Sequence, residues 1–370
     1  MPAKTCRYLC AALLLIAAPA LAQAPAQSTV VRRSPFIPDC APAAKDDLCR
    51  APMAFRYEEA ERRLGSADLV TWADGQTLNV AARSATATAE LNGSIQEGLA
   101  PMSTSGSLWG ASYQAPQIGK AVVEFSVGKA SAVFRGPQAP AAPPSNAALK
   151  GKLEVLDIKS AALGNTRKVT VYVPPGTAPK GGWPLVIAAN GETMAPYIAV
   201  TDALIEGRQI RPVAVVAVWP GGSPGEYLRG KDPDAYQRHA MFVQREVLPL
   251  VEKRFSVTHD AGRRLLFGTD NGGDWAVQTA LRETDVARTV AAFSVTGGSE
   301  PPFRSGKKLR MFMAAGAFEG PYLKGSRQIC SLASASGTPC VLDVAQAGHA
   351  PLIWQAQLAK VLKTVFPAGR

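Results

Sequence analysis

From about residue 152 to the C-terminus, short β-type runs alternate with segments of helical periodicity. This alternation constrains the fold most, because strands separated by helices predict a mostly parallel sheet covered by helices on both faces. Helices are predicted at 234–254, 272–282 and 351–366, where apolar residues recur at helical spacing. The eight candidate strands are at 153–160, 168–173, 185–189, 213–218, 264–267, 290–295, 309–314 and 341–344. We therefore expect an α/β domain over residues 151–370.

Residues 66–135 differ in pattern from this domain. Within them, four short β-type runs alternate with turn residues, a spacing that predicts a small β-sandwich. Residues 136–150 are rich in proline, which interrupts helix and sheet patterns and favours an extended linker. Residues 23–65 show no regular pattern and are expected to be irregular. The sequence thus predicts two folding units joined by a proline-rich linker.

The first 22 residues have the pattern of a secretory signal peptide. Lys4 and Arg7 precede an apolar stretch at 9–18, and the sequence Ala-Leu-Ala at 20–22 offers a small-residue cleavage site. We expect cleavage after Ala22 and a periplasmic or secreted mature protein. No later segment has 18 uninterrupted apolar residues, so no membrane span is expected.

Cysteine spacing agrees with export. Two of the six cysteines lie in the predicted signal peptide, and the other four form two close pairs, Cys40 with Cys49 and Cys330 with Cys340. In an exported chain, this spacing predicts two local disulfides. A four-cysteine metal site would need CxxC spacing, which is missing, so no metal is expected. No cofactor is expected either.

The charge of the chain is +11, from 40 Lys and Arg residues against 29 Asp and Glu residues. The basic residues are scattered along the chain and nowhere form the run that follows a phosphate backbone. Nucleic acid is therefore not an expected partner.

The segment 268–275, Gly-Thr-Asp-Asn-Gly-Gly-Asp-Trp, follows a predicted strand and opens a predicted helix. Strand, sharp turn and helix form the context of a GxSxG nucleophile elbow. Gly268 and Gly272 flank Asp270 as glycines flank the serine of that motif, and they let the strand and helix approach closely. The side chain exposed above the sheet would here be the carboxylate of Asp270.

Further segments carry a family resemblance. They are 168–176, 183–191, 242–254, 291–298, and Gly348-His349 followed by Trp354. With the elbow, they resemble the "putative esterase" family of α/β-hydrolases, to which the enterochelin esterases belong. The resemblance implies an α/β-hydrolase fold with an eight-stranded sheet. It also implies an immunoglobulin-like module before it, because residues 101–102 and 108–109 are similar to that module.

The resemblance also implies roles for individual residues. Asp270 corresponds to the nucleophile, Glu319 to the acid and His349 to the general base, in the chain order of the hydrolases. Asp343 is a rival acid, but it lies in an apolar β-type run only six residues before His349. We favour Glu319 because it is expected in a loop.

Backbone amides would complete the site. By the same resemblance, the N–H groups of Asn271 and of the loop near Gly191 or Glu192 form an oxyanion hole. Asp270 would stand at a helix N-terminus, where the positive end of the helix dipole is expected to keep its carboxylate ionised.

Two positions depart from the family pattern. Asp270 replaces the nucleophilic serine, and Asn190-Gly191 replaces the His-Gly of the oxyanion loop. A serine forms a stable ester with an acyl group, whereas a carboxylate attacking the same carbon gives a strained mixed anhydride. We expect weak or absent hydrolysis of simple acyl esters, and turnover only where the scissile carbon is alkyl or where Asp270 activates water.

The leading hypothesis is an exported hydrolase of a small-molecule ester or related bond. The alternative is a catalytically silent pseudo-hydrolase that binds a ligand or partner, and a carbohydrate-binding or adhesion protein is a third reading. Arg229 and Lys231 are expected in a solvated loop, and their other interpretation is a clamp for an anionic ligand. His239 is expected at the surface and His259 in a loop.

Overall fold

The computed structural model describes residues 33–34, 37–40, 48–85, 89–102, 107–297 and 309–369. The predicted signal peptide and its cleavage site after Ala22 lie outside these ranges. Every helix within the ranges is too short or too polar to cross a bilayer.

In the N-terminal part of the described chain, short strands form two antiparallel sheets. One sheet has the order β1-β7-β3-β2, with β6 also paired to β7, and the other has the order β5-β4-β8-β9. The elements are β1 (Cys49–Ala51), α1 (Tyr57–Leu64), β2 (Leu69–Asp74), β3 (Thr77–Arg83), β4 (Glu90–Gly93), β5 (Glu97–Gly98), β6 (Ala100–Pro101), β7 (Leu108–Gln114), β8 (Val122–Val127) and β9 (Ala130–Arg135).

The two antiparallel sheets share one buried apolar cluster. Leu78 and Val80 of β3 pack in it together with Val123 and Phe125 of β8. We refer to β1–β9 and α1 as the N-terminal module. Its immunoglobulin-like topology and its boundary at the proline-rich segment stay predictions.

The C-terminal part is built on an eight-stranded mixed sheet. Its order is β10-β11-β13-β12-β14-β15-β16-β17; the two pairings of β11 are antiparallel and the other five are parallel. All eight strands predicted from the sequence are confirmed, and each observed end lies within two residues of the predicted one. They are β10 (Lys152–Lys159), β11 (Thr166–Val173), β12 (Leu185–Ala188), β13 (Ala214–Val218), β14 (Arg264–Thr269), β15 (Thr289–Phe293), β16 (Arg310–Gly316) and β17 (Cys340–Ala345).

Helices cover both faces of this sheet. Because side chains alternate along a strand, Ile187 of β12 packs in the core on one face while Val186 and Ala188 pack on the other. Helices α3 to α6 contribute to the first core, and α2 and α7 contribute to the second. The helices are α2 (Ala195–Glu206), α3 (Pro233–Met241), α4 (Leu248–Phe255), α5 (Asn271–Arg282), α6 (Gly320–Ala335) and α7 (Pro351–Val365).

The helix predicted at 234–254 is interrupted. A π-helical turn at Phe242–Val247 separates α3 from α4. Pro249 explains the interruption, because its ring would clash with the carbonyl four residues earlier and it has no N–H to donate. The wider turn accommodates the proline within a continuous helical path.

The expectation that His239 lies at the surface is wrong. Its side chain is fully buried and contacts the rings of Tyr227 and Trp275 edge-on, at centroid distances of 5.3 and 5.9 Å. Its neighbour Arg238 is exposed. Because adjacent residues of a helix point about 100° apart, the exposure of Arg238 does not predict the exposure of His239. His259 is exposed in a loop and pairs with Glu252.

Both predicted disulfides are confirmed. Cys40 is bonded to Cys49, and Cys330 to Cys340. The second bond ties the C-terminal part of α6 to the start of β17 and closes a short loop between the two elements.

Candidate active site

The strand–turn–helix predicted at 268–272 is confirmed. β14 ends at Thr269, Asp270 has φ 52° and ψ −130°, and α5 begins at Asn271. A Cβ added at Gly268 would lie 1.9 Å from the Gly272 carbonyl oxygen, so the crossing of strand and helix has no room for a side chain there. The positive φ of Asp270 is strained for a residue with a side chain. Such a conformation costs about 1–3 kcal/mol and persists where the surrounding structure enforces it.

Glu319 and His349 are in direct contact. Nδ1 of His349 lies 2.7 Å from Oε2 of Glu319, whose side chain is only 2% exposed. Because an ionised carboxylate only accepts hydrogen bonds, Nδ1 carries a proton when it bonds to Glu319, and in the neutral imidazole Nε2 is then the acceptor. The rival acid Asp343 is instead paired with Lys360 at 2.8 Å.

A buried polar network fixes the Glu319 carboxylate. Its Oε1 accepts hydrogen bonds from the backbone N–H of Gly316 and from the Ser294 hydroxyl, the latter at 2.6 Å. The Trp354 indole N–H donates to the same hydroxyl at 2.7 Å. Since Trp354 also packs edge-on against the His349 ring, at 4.7 Å between centroids, the network orients both the acid and the histidine.

Tyr322, which the sequence analysis missed, joins the two halves of the site. Its ring lies 4.3 Å from the His349 ring, with an interplanar angle of 31°, and its hydroxyl is close enough to Asp270 to lower the pKa of that carboxyl group. Burial, together with the negative charges of Asp270 and Glu319, raises the pKa of Tyr322 to about 12. The phenol is therefore protonated at neutral pH. The sequence feature that could have identified Tyr322 is its position three residues after Glu319, the predicted acid.

Burial adds an effect on Asp270 that the sequence did not indicate. Burial raises the pKa of its carboxyl group above the ordinary value. The charge of His349 and hydrogen bonds from the Asn271 N–H and the Tyr322 hydroxyl oppose that rise, while the charge of Glu319 adds to it. The amide at the helix N-terminus does favour the ionised form, as expected, but desolvation outweighs it.

The predicted oxyanion amides lie at two strand ends. Gly191 and Glu192 form a short 3-10 turn directly after β12, which pairs in parallel with β14, so both strands end at the same edge of the sheet. A Cβ added at Gly272 would lie 3.0 Å from Oδ1 of Asn190, so the turn packs against the start of α5. The Asn271 N–H lowers the pKa of Asp270, so it interacts with the carboxylate of the same elbow.

Arg229 and Lys231 are exposed in the segment that precedes α3. None of the contacts of Asp270, Glu319 and His349 described above involves either of them. Among the residues that the structure describes, no group of three or more His, Cys, Asp or Glu side chains is arranged to hold a metal ion.

The N-terminal module contacts the segment that carries His349. The backbone N–H of His349 donates to the Ser94 carbonyl at 3.3 Å, and that of Val122 donates to the Gln346 carbonyl at 2.9 Å. On the acid side, Phe318 is buried in the apolar cluster of the module. The module therefore contacts the backbone beside both the acid and the histidine.

Comparison with known proteins agrees with this architecture. Residues 160–315 match the sequence model of the Esterase family, described as "Putative esterase". No curated protein matches the chain. The match covers the central strands and the elbow, and it ends before Glu319 and His349.

Solved structures share the fold at low identity. The enterobactin esterase of Shigella flexneri, determined in the presence of enterobactin, is 16% identical with a TM-score of 0.65, over 82% of this chain and 97% of that chain. The ferric enterobactin esterase of Salmonella typhimurium is 16% identical with a TM-score of 0.62, over 80% and 96%. A ferulic acid esterase of Anaeromyces mucronatus is 14% identical with a TM-score of 0.50, over 61% and 95%.

The chain thus has the α/β-hydrolase-like fold of these structures, and over residues 160–315 it is similar to the Esterase family. The order of its eight-stranded sheet and the elbow after β14 agree with that fold.

Proposed function

We propose that this protein is an exported hydrolase that cleaves an ester or a related bond of a small molecule, with Asp270 in the nucleophile position. The observation that carries the proposal is the hydrogen bond of 2.7 Å between His349 and the buried Glu319, beside a carboxylate at a strained elbow. An acid and a histidine arranged in this way form the proton-transfer half of a hydrolase triad.

Each group has a role in this mechanism. Asp270 attacks the substrate and forms a covalent intermediate, which water then hydrolyses. Nε2 of His349 takes a proton from that water, and Glu319 stabilises the resulting imidazolium. The amides of Asn271, Gly191 and Glu192 are proposed to stabilise the oxyanion that develops during hydrolysis.

The substrate is proposed to be a small molecule. The structural neighbour from Shigella flexneri was determined with enterobactin, which supports a small-molecule pocket in this fold. Arg229 and Lys231 remain candidates for contact with an anionic part of the substrate. The two disulfides fit the oxidising compartment that export to the periplasm or medium would provide.

A silent, ligand-binding pseudo-hydrolase is the second candidate function. One feature favours it: the Asn271 N–H and the Tyr322 hydroxyl both lower the pKa of Asp270, so they interact with its ionised carboxylate. Groups that would stabilise a reacting substrate are thus engaged by the protein's own carboxylate. In this case the site would bind a ligand without turnover.

A hydrolysis screen tests the proposal. The mature protein is compared with Asp270→Asn, Glu319→Gln and His349→Ala on acyl esters, alkyl esters and cyclic ethers. Asp343→Asn is the matched control, because this carboxylate lies six residues before His349 and pairs with Lys360 outside the site. We expect at least one substrate class to be hydrolysed by the wild type and the control, and at least about 100-fold more slowly by the other three. Equal rates for all five proteins would exclude catalysis at this site and leave the binding function.

A further inference from the structure

Tyr322 has no part in the mechanism proposed above, yet it contacts two members of the site. Its hydroxyl lies close enough to Asp270 to lower the pKa of that carboxyl group, and its ring stacks on His349 at 4.3 Å. The backbone N–H of Tyr322 donates to the Glu319 carbonyl at 2.9 Å, which fixes the tyrosine at the start of α6 beside the acid. A protonated phenol is thus held against the attacking carboxylate.

The carboxylate limits which carbon it can attack productively. Attack on an acyl carbon gives a mixed anhydride, whereas attack on a saturated carbon gives an ordinary ester. Displacement of oxygen from a saturated carbon leaves an alkoxide, a strong base that needs a proton as the bond breaks. The mechanism uses Nε2 of His349 as the base that takes a proton from water, so this step assigns it no proton to give, and its Nδ1 faces Glu319. The Tyr322 hydroxyl is protonated and can supply this proton.

We propose that the site opens a strained cyclic ether, an epoxide, with Asp270 as the nucleophile and Tyr322 as the proton donor. This inference rests on the proposed hydrolase function and narrows its substrate to an electrophile at a saturated carbon. An epoxide fits because ring strain drives the C–O cleavage and the leaving oxygen stays on the substrate, within reach of the same phenol.

The first step conserves atoms and charge. An oxygen of the Asp270 carboxylate forms a bond to one epoxide carbon, and the C–O bond of that carbon breaks with its electron pair going to oxygen. The new alkoxide takes the proton of Tyr322. The products are a hydroxyalkyl ester of Asp270 and the phenolate of Tyr322.

The second step returns the enzyme to its starting state. Water adds to the ester carbonyl of Asp270 as Nε2 of His349 removes one of its protons, and Asn271 stabilises the oxyanion. Collapse expels the diol oxygen, which takes the proton from His349. Asp270 is left as a carboxylic acid and passes its proton to the phenolate of Tyr322. The net reaction is epoxide plus water giving a diol.

The charges of the site couple the two events of the first step. The negative charge of Asp270 opposes ionisation of Tyr322 in the resting site. Once Asp270 becomes an ester, this repulsion is lost, so the phenol becomes a stronger acid as the C–O bond breaks. The proton donor is therefore activated by the attack itself and stays protonated beforehand.

The test uses racemic styrene oxide with the mature protein. In a single turnover in H2¹⁸O with enzyme in excess, we expect the label in the peptide that contains Asp270 and not in the diol. His349→Gln should accumulate a covalent adduct of one styrene oxide on the same peptide, and Asp270→Asn should form none. Label that enters the diol directly, without an Asp270 adduct, would overturn the inference.

Tyr322→Phe tests the proton donor. We expect kcat for diol formation to fall at least about 100-fold, with KM changed only a few-fold. Tyr236→Phe is the matched control, because its buried hydroxyl contacts Thr279 outside the site, and it should retain the wild-type rate. A Tyr322→Phe rate equal to that of Tyr236→Phe would refute the role of Tyr322.

The outcomes separate this inference from the proposed function. Hydrolysis of an acyl ester without any opening of styrene oxide would remove the inference and leave the hydrolase proposal. Absence of turnover and of any adduct, on every substrate class, would remove both.

Discussion

Replacing Gly348 with alanine tests whether the N-terminal module holds the histidine segment. A Cβ at this position would lie 2.0 Å from the Ser94 carbonyl oxygen, and φ of Gly348 is not positive, so the backbone itself accepts alanine. The change therefore acts on the contact between the module and the segment. To reach the 3.4 Å lower limit of ordinary contact, the two backbones must separate by at least about 1.4 Å.

That separation has a calculable cost. The hydrogen bond from the His349 N–H to Ser94 is already 3.3 Å long and would be lost, at about 0.5–1.5 kcal/mol. Forcing an extra methyl group into a packed site costs about 1–3 kcal/mol. We expect Gly348→Ala to lower the free energy of unfolding by about 1.5–4.5 kcal/mol, the sum of the two costs.

Equilibrium urea unfolding measures the loss. Gly320→Ala is the matched control, because nothing lies within 4 Å of a Cβ added there and the residue directly follows Glu319. Its change should stay within about 0.5 kcal/mol. A second readout is the downfield NMR resonance of the His349 Nδ1 proton bonded to Glu319, which should shift or broaden in Gly348→Ala alone. If both variants unfold at the same urea concentration and keep that resonance, the module does not hold the segment.

Three further predictions follow from the site and its supports. Asp270→Ser should raise acyl-ester hydrolysis above the wild-type rate; robust wild-type hydrolysis of a short acyl ester, abolished in this variant, would contradict it. Burial lowers the pKa of His239 from 6.5 to about 4. Between these pH values the unfolded state binds a proton that the folded state does not. The free energy of unfolding should therefore fall by up to about 3 kcal/mol as the pH drops from about 6.5 to 4. His239→Phe should flatten this slope in pH-dependent unfolding, and an unchanged slope would exclude His239 as its source. The double variant Cys330→Ala/Cys340→Ala should have a free energy of unfolding about 2–3 kcal/mol lower than the wild type. Two free thiols at these positions in the unreduced exported protein would contradict this prediction.

The sheet could be predicted because its signals are local. Each strand is a short apolar run bounded by turn residues, and the elbow is specified by glycines that leave no room for a Cβ. Helix α2 was missed for the opposite reason. Residues Ile198 to Ile205 of α2 are buried on nearly every side, so the helix has no polar face to produce a periodic pattern.

The site was harder to predict because its contacts join distant segments. Ser294 reaches the acid from the end of β15, and Tyr322 reaches the histidine from the first turn of α6. The burial of His239 depends on Tyr227 and Trp275, which lie 12 residues before it and 36 residues after it. Such contacts follow from topology and not from local pattern.

Asp270 and Tyr322 act as a pair, which limits what a single substitution at 270 can restore. In Asp270→Ser, the Tyr322 hydroxyl would lose its carboxylate partner and compete with His349 for the serine oxygen. A serine that accepts a hydrogen bond from the phenol is a poorer nucleophile, because its lone pair is engaged. Asp270→Ser/Tyr322→Phe should therefore hydrolyse acyl esters faster than Asp270→Ser alone. If the double variant is slower, Tyr322 instead assists the serine as an oxyanion donor, and the phenol stabilises negative charge on oxygen regardless of the residue at 270.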